Sequence, residues 1–164
     1  MKAQRIAICI LIVASTTGAF GQPDAQKSFD QLKSLVGTWE GKNSQGEPVQ
    51  VSYRLTAGGS ALMSEITGHG ENMITMFHLD GANRLLMTHY CAAGNQPRMQ
   101  ASSSSDGKSI SFNFVDGTNL DNSHRGHMDH VVFTIPDASH HTEDWNFVGD
   151  GKETRELFEL QRAK

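Results

Sequence analysis

The feature that most constrains this chain is a long succession of short strand-like runs punctuated by turn residues. The clearest is at residues 49–56, where Val49, Val51, Tyr53 and Leu55 alternate with Gln50, Ser52, Arg54 and Thr56. That is the period of a strand with one buried and one wet face. Further runs follow at Ala61–Thr67, Met73–Leu79, Leu85–Cys91, Met99–Ser104, Ile110–Val115, His130–Ile135, Glu143–Val148 and Arg155–Gln161. Asp-Gly pairs at Asp80-Gly81, Asp106-Gly107, Asp116-Gly117 and Asp150-Gly151 sit between or beside them, where tight hairpin turns demand positive φ. With a further strand around Trp39, the pattern predicts about ten antiparallel strands in a meander. Such a sheet removes its exposed edges by closing, so the expected fold is all-β, a single up-and-down barrel of about 8–10 strands, with a two-sheet sandwich as the alternative.

One short helix should precede the strands. Ser28-Phe29-Asp30-Gln31 has the form of a capping box, and Phe29, Leu32, Leu35 and Val36 recur at helical spacing before Gly37. Upstream, Lys2 and Arg5, the apolar stretch Ile6–Ala14 and the small residues Ala19 and Gly21 read as a cleaved secretory signal over residues 1–21. The apolar stretch is shorter than the ~20 residues a membrane-spanning helix needs, so no integral membrane segment is expected after cleavage. Residues 22–164 are then one domain, expected to be secreted or periplasmic. Loss of Lys2 and Arg5 takes the formal charge from −4 to −6, which argues against nucleic acid as a partner. Loss of Cys9 leaves Cys91 as the sole thiol, so no internal disulfide can form.

The helix, Gly37-Thr38-Trp39, the meander and the ending Leu157-Phe158-Glu159-Leu160-Gln161-Arg162 resemble the calycin superfamily of lipocalins, fatty-acid-binding proteins and nitrobindin-like barrels. The segments Met87–Arg98, His127-Met128 and Ser139–Trp145 look like a family of secreted bacterial calycin-like proteins of unknown function. The resemblance implies a C-terminal arginine, Arg162 or else Arg155, packed across Trp39 in a structural barrel closure by cation–π contact. It brings no established activity. Nitrobindin-like barrels bind haem through a histidine expected toward the C-terminal part, and no histidine follows His141, which sets haem behind the other readings.

Several residues could carry chemistry. His124, His127 and His130 form a His-x-x-His-x-x-His run near His140 and His141, a supply of imidazoles suited to zinc, copper, nickel or iron. Residues three apart face opposite sides of a strand, so His127 and His130 converge only where the backbone bends, and His140 and His141 diverge as strand neighbours. Met87, His89 and Cys91 share a face by parity. If that face points inward, His89 contacts a ligand, while Cys91 reads as a small buried group rather than a nucleophile. Glu65 shares parity with Met63 and is expected inside, paired with Arg98. Met63, Met73, Met76, Met87, Met99 and Met128, with Tyr53, Phe77, Phe112, Phe114, Phe133 and Trp145, are the candidate lining.

There is no Gly-x-Ser-x-Gly elbow, phosphate-cradling loop, Cys-x-x-Cys or His-Glu-x-x-His motif. The expectation is therefore a binding protein rather than an enzyme. It would take a small, largely apolar molecule, with Glu65, His89 and Arg98 as polar contacts and no cofactor favoured. The alternatives are a metal-binding protein or metal-dependent enzyme using the histidines, and an interaction module with a packed interior.

Overall fold

The computed structural model describes residues 24–68, 71–103, 107–120 and 126–164. The signal-like segment and His124 lie outside the described residues. One helix, α1 (Asp24–Lys33), leads into ten strands: β1 (Gly37–Lys42), β2 (Pro48–Thr56), β3 (Ala61–Gly68), β4 (Glu71–Asp80), β5 (Arg84–Tyr90), β6 (Gln96–Ser103), β7 (Ser109–Thr118), β8 (Gly126–Thr134), β9 (His140–Gly149) and β10 (Lys152–Arg162). Each strand pairs antiparallel with the next, and β10 pairs with β1, so the sheet is a closed all-β barrel.

The alternation read from the sequence decides which residues fill the interior. Cross-strand partners share a face, and Val51 opposite Ile66, Tyr53 opposite Ser64, and Met87 opposite Met99 are all buried. Phe77, Phe112 and Phe133 meet with ring centroids 5.6–5.9 Å apart, and Trp145 joins Phe133 at 6.0 Å. Burying each such ring contributes roughly 1.5–3 kcal/mol, so this aromatic layer is a substantial part of the cohesion inside the barrel.

Helix α1 packs against β4, β5 and β6 at the end where β1 starts, with Phe29 and Leu32 buried beneath it. Trp39 anchors this end. Its indole Nε1 donates to Leu35 O at 2.7 Å, and the Arg162 guanidinium lies 4.2 Å from its ring centroid. Arg162 also donates to Ser34 O, Val36 O and Ala138 O, each at 2.8 Å, so one side chain ties the helix end to the β8–β9 connection. The glycines of the Trp39 run follow from this packing. At Gly37 (φ +128°) a Cβ would stand 3.0 Å from Arg162 Nη1, and at Gly41 it would overlap the Glu159 carbonyl of β10.

Two local expectations are corrected. Ser28 lies inside α1 rather than at its start, because Asp24-Ala25-Gln26-Lys27 are themselves helical, supported by the Gln26 side chain bonded to Asp30 four residues on. Asp116-Gly117 is not a turn. Both residues lie in β7 opposite Arg98 and Pro97, and the irregularity there is a bulge that leaves Val115 without a partner.

Candidate functional site

The barrel has two unlike ends. Most inward-facing side chains near α1 are buried, with Leu79 and Ala101 partly so, and at the opposite end Met73, Phe114, Met128 and Phe147, partners of the inward Ile66, Met99 and one another, are partly buried. A partly exposed apolar ring around a barrel mouth is the setting in which ligand sites are commonly built. Below it lies a fully buried polar residue with an unpaired ring nitrogen.

That residue is His89. It sits near the far end of β5, on the same face as Leu85 and Met87, and is 0% exposed. Its Nδ1 lies 2.8 Å from Thr75 Oγ1 on the neighbouring β4, and its ring stands 4.8 Å from Trp145. Nε2 is buried and has no hydrogen-bond partner. Burial pushes the imidazole pKa down to about 4, so the ring is neutral at physiological pH. An unpaired polar atom in such a place costs about 1–3 kcal/mol, which is why native structures rarely keep one without a use for it. Asn95, at the end of the β5–β6 connection, is buried too; its Nδ2 donates to Gly126 O at 2.6 Å, while Oδ1 has no partner.

A second buried polar group, nearer α1, is centred on a paired carboxylate, although His141 Nδ1 beside it is buried without a partner. Glu143 on β9 is fully buried, accepting from Tyr53 Oη at 2.5 Å, Trp145 Nε1 at 3.0 Å and His141 Nε2 at 3.2 Å. Burial first, and the Glu143 carboxylate second, push the Tyr53 hydroxyl well above its usual pKa. His141 packs edge-on to Trp39 at 4.3 Å. Glu143 thus has donors on both oxygens, and by holding the Trp145 indole it fixes the ring that covers His89. The sequence reading missed Glu143, Tyr53 and Thr75 as polar partners. Parity with Trp145 and with Phe77 was the available signal, since His141, Glu143 and Trp145 lie on one face of β9, and Thr75 and Phe77 on one face of β4.

Glu65 and Arg98 stand elsewhere. Glu65 does share parity with Met63, but Ser52–Glu65 and Arg54–Met63 are outward pairs, and Met63 is covered by Arg54 rather than by the interior. Glu65 accepts from Asn72 at 2.8 Å. Arg98 pairs with Asp116 at 2.5 and 2.7 Å on the outer face, beside a surface hollow of about 500 Å³ that includes Asp80 and Arg84. The expected Glu65–Arg98 pair is therefore not formed. Met76, opposite Met63, is likewise outside.

Among the described residues the histidines do not come together. His130 bonds to Asn113 at 3.0 Å, His127 stacks on Phe114 at 4.3 Å, His140 is exposed beside Asp137 at 3.1 Å, and His141 is inside against Glu143. A bulge between Met128 and His130 changes the strand's parity there without bringing the imidazoles together. Among the described residues no group of three or more His, Cys, Asp or Glu side chains is placed to hold a metal ion. Cys91 is a free thiol, half-buried, and burial raises its pKa, the opposite of what a nucleophile needs. No described helix is long and apolar enough to cross a membrane.

No family model matches the chain, and no curated protein matches it in sequence. Among solved structures it is similar to Rv2717c from M. tuberculosis, with a TM-score of 0.58 and 12% identity over 84% of this chain and 97% of that one. At that identity the likeness concerns the fold alone: the chain is a closed antiparallel barrel of the same general architecture.

Proposed function

We propose that this protein is a secreted or periplasmic, calycin-like barrel that binds a small, largely apolar molecule at the end remote from α1. The observation that carries this reading is His89 Nε2, a fully buried polar atom left unpaired next to a partly buried apolar rim. The width of the barrel supports it. Eight strands enclose an interior just filled by side chains, and ten enclose more. Here the aromatic layer fills the half toward α1, which leaves the other half to Met73, Met128 and the groups around His89. Methionine side chains are flexible and polarisable, and so adapt to irregular apolar guests.

Native and denaturing mass spectra of protein recovered from a periplasm without a histidine tag test the reading. A stoichiometric organic mass lost on unfolding is expected, with a polypeptide starting at Gln22 if the signal is removed as read. A bare polypeptide that also fails to take up apolar probes would refute the ligand carrier, and a retained Met1 would refute the export reading.

A further inference from the structure

The hydrogen-bond bookkeeping around His89 specifies what kind of ligand it takes. Thr75 Oγ1 and His89 Nδ1 are 2.8 Å apart, both residues are 0% exposed, and among the described residues Thr75 Oγ1 bonds to nothing else. Two arrangements of protons fit that distance. If Nδ1–H donated to Thr75, the threonine hydroxyl hydrogen would be stranded and the Nε2 lone pair would be stranded as well. If the Thr75 hydroxyl donates to Nδ1, only one group is left over, an Nε2–H. Because each stranded buried group costs on the order of 1–3 kcal/mol, the second arrangement wins.

Charge narrows the class further. Every described lysine and arginine escapes full burial, and the buried charged side chain is Glu143. Arg54, Arg98 and Arg155 face outward, with Arg98 and Arg155 paired to Asp116 and Asp144. A carboxylate or phosphate entering beside His89 would give up its hydration with no cation to replace it, and would approach the Glu143 carboxylate held at Trp145. A cation would lack an unpaired acid, since both Glu143 oxygens already accept hydrogen bonds.

We infer that His89 presents an Nε2–H donor to the barrel interior and that its ligand is an uncharged, largely apolar molecule bearing an acceptor oxygen, of the ketone, aldehyde or ester class. This rests on the reading that the interior takes a ligand. It also assigns His89 against a metal role, because a ligating imidazole needs the Nε2 lone pair.

Two measurements test it. Long-range ¹H–¹⁵N spectra of the histidine-labelled protein at neutral pH should show His89 as the Nε2–H tautomer; an Nδ1–H tautomer overturns the inference. Isothermal titration with 2-acetylnaphthalene, the carbonyl-free 2-ethylnaphthalene and 2-naphthoate separates the outcomes. The ketone should bind about tenfold tighter than the ethyl compound, the worth of roughly one net hydrogen bond, with naphthoate weakest. His89→Phe should erase the ketone's advantage while leaving 2-ethylnaphthalene bound. Equal affinity for ketone and ethyl compounds, or preference for naphthoate, overturns the inference and leaves the ligand carrier standing. Binding by none of the three overturns both.

Discussion

His89 gives the barrel a pH limb of its own. Its pKa is about 4 in the folded chain against about 6.5 when unfolded, so between those values the unfolded state binds the extra proton and stability falls as the pH falls. The stability present above pH ~6.5 should drop by about 3 kcal/mol by pH ~4 on this account. Urea titrations at several pH values should show the drop in the natural protein and its loss in His89→Phe; parallel profiles would contradict it. Tyr53 works in the opposite pH range. Its raised pKa means the folded state keeps the phenolic proton, so the stability it lends is lost as pH rises above ~10. In a Tyr90→Phe background, the 295 nm absorbance step of Tyr53 should coincide with unfolding instead of preceding it. Tyr53→Phe, which removes a hydroxyl donor to a buried carboxylate, should cost about 1.5–3 kcal/mol in the same urea assay. At this scale, the sequence disclosed which residues share a face but not which face is inside. His89 follows Leu85 and Met87 inward, whereas Glu65 follows Met63 outward, because methionine is as much at home under an arginine stem as in a core.

The element that decides closure is the β1–β10 pair. Gly41 lies opposite Leu160, and any Cβ there would press on the β10 backbone, which cannot swing aside as a flexible side chain could. Gly41→Ala should therefore lower stability by about 3 kcal/mol or more, measured by thermal unfolding, while Gly46→Ala, in an open turn, should act only through its own positive φ. Arg162 supplies the other half of the closure. Arg162→Ala should cost about 2–3 kcal/mol, and Arg162→Lys should recover little of it, because an ammonium cannot reach three carbonyls and lie flat on an indole together. Strands were legible from alternation, and Asp150-Gly151 was legible as a hairpin turn, with φ of 51° and 70°. Asp116-Gly117 departs from the expected turn because its glycine serves a close approach to Pro97 and Leu120 rather than a reversal of the chain. Helix α1 was placed correctly but started late, since Asp24–Lys27 carries no apolar periodicity beyond Ala25.

For the whole molecule, a meander of about ten strands leaves two raw edges, and joining them is the topologically simplest way to hide both. The count of alternating runs alone is enough to imply that closure. The candidate site lay beyond it because it depends on how strands separated by tens of residues come side by side. Thr75 meets His89 across β4 and β5, while Trp145 reaches the same imidazole from β9 across the interior. The pairing of β1 with β10 also has a kinetic consequence. Trp39 and Arg162 are separated by nearly the full length of the described chain, so the last joint cannot be made on a nascent polypeptide until residue 162 has emerged. Until then any sheet that has formed remains an open ribbon whose two bare edges can pair with those of a neighbouring chain. Slowing that final joint, more than weakening the finished barrel, is where substitutions at Gly41 or Arg162 would be felt first during synthesis, as aggregated rather than merely less stable protein.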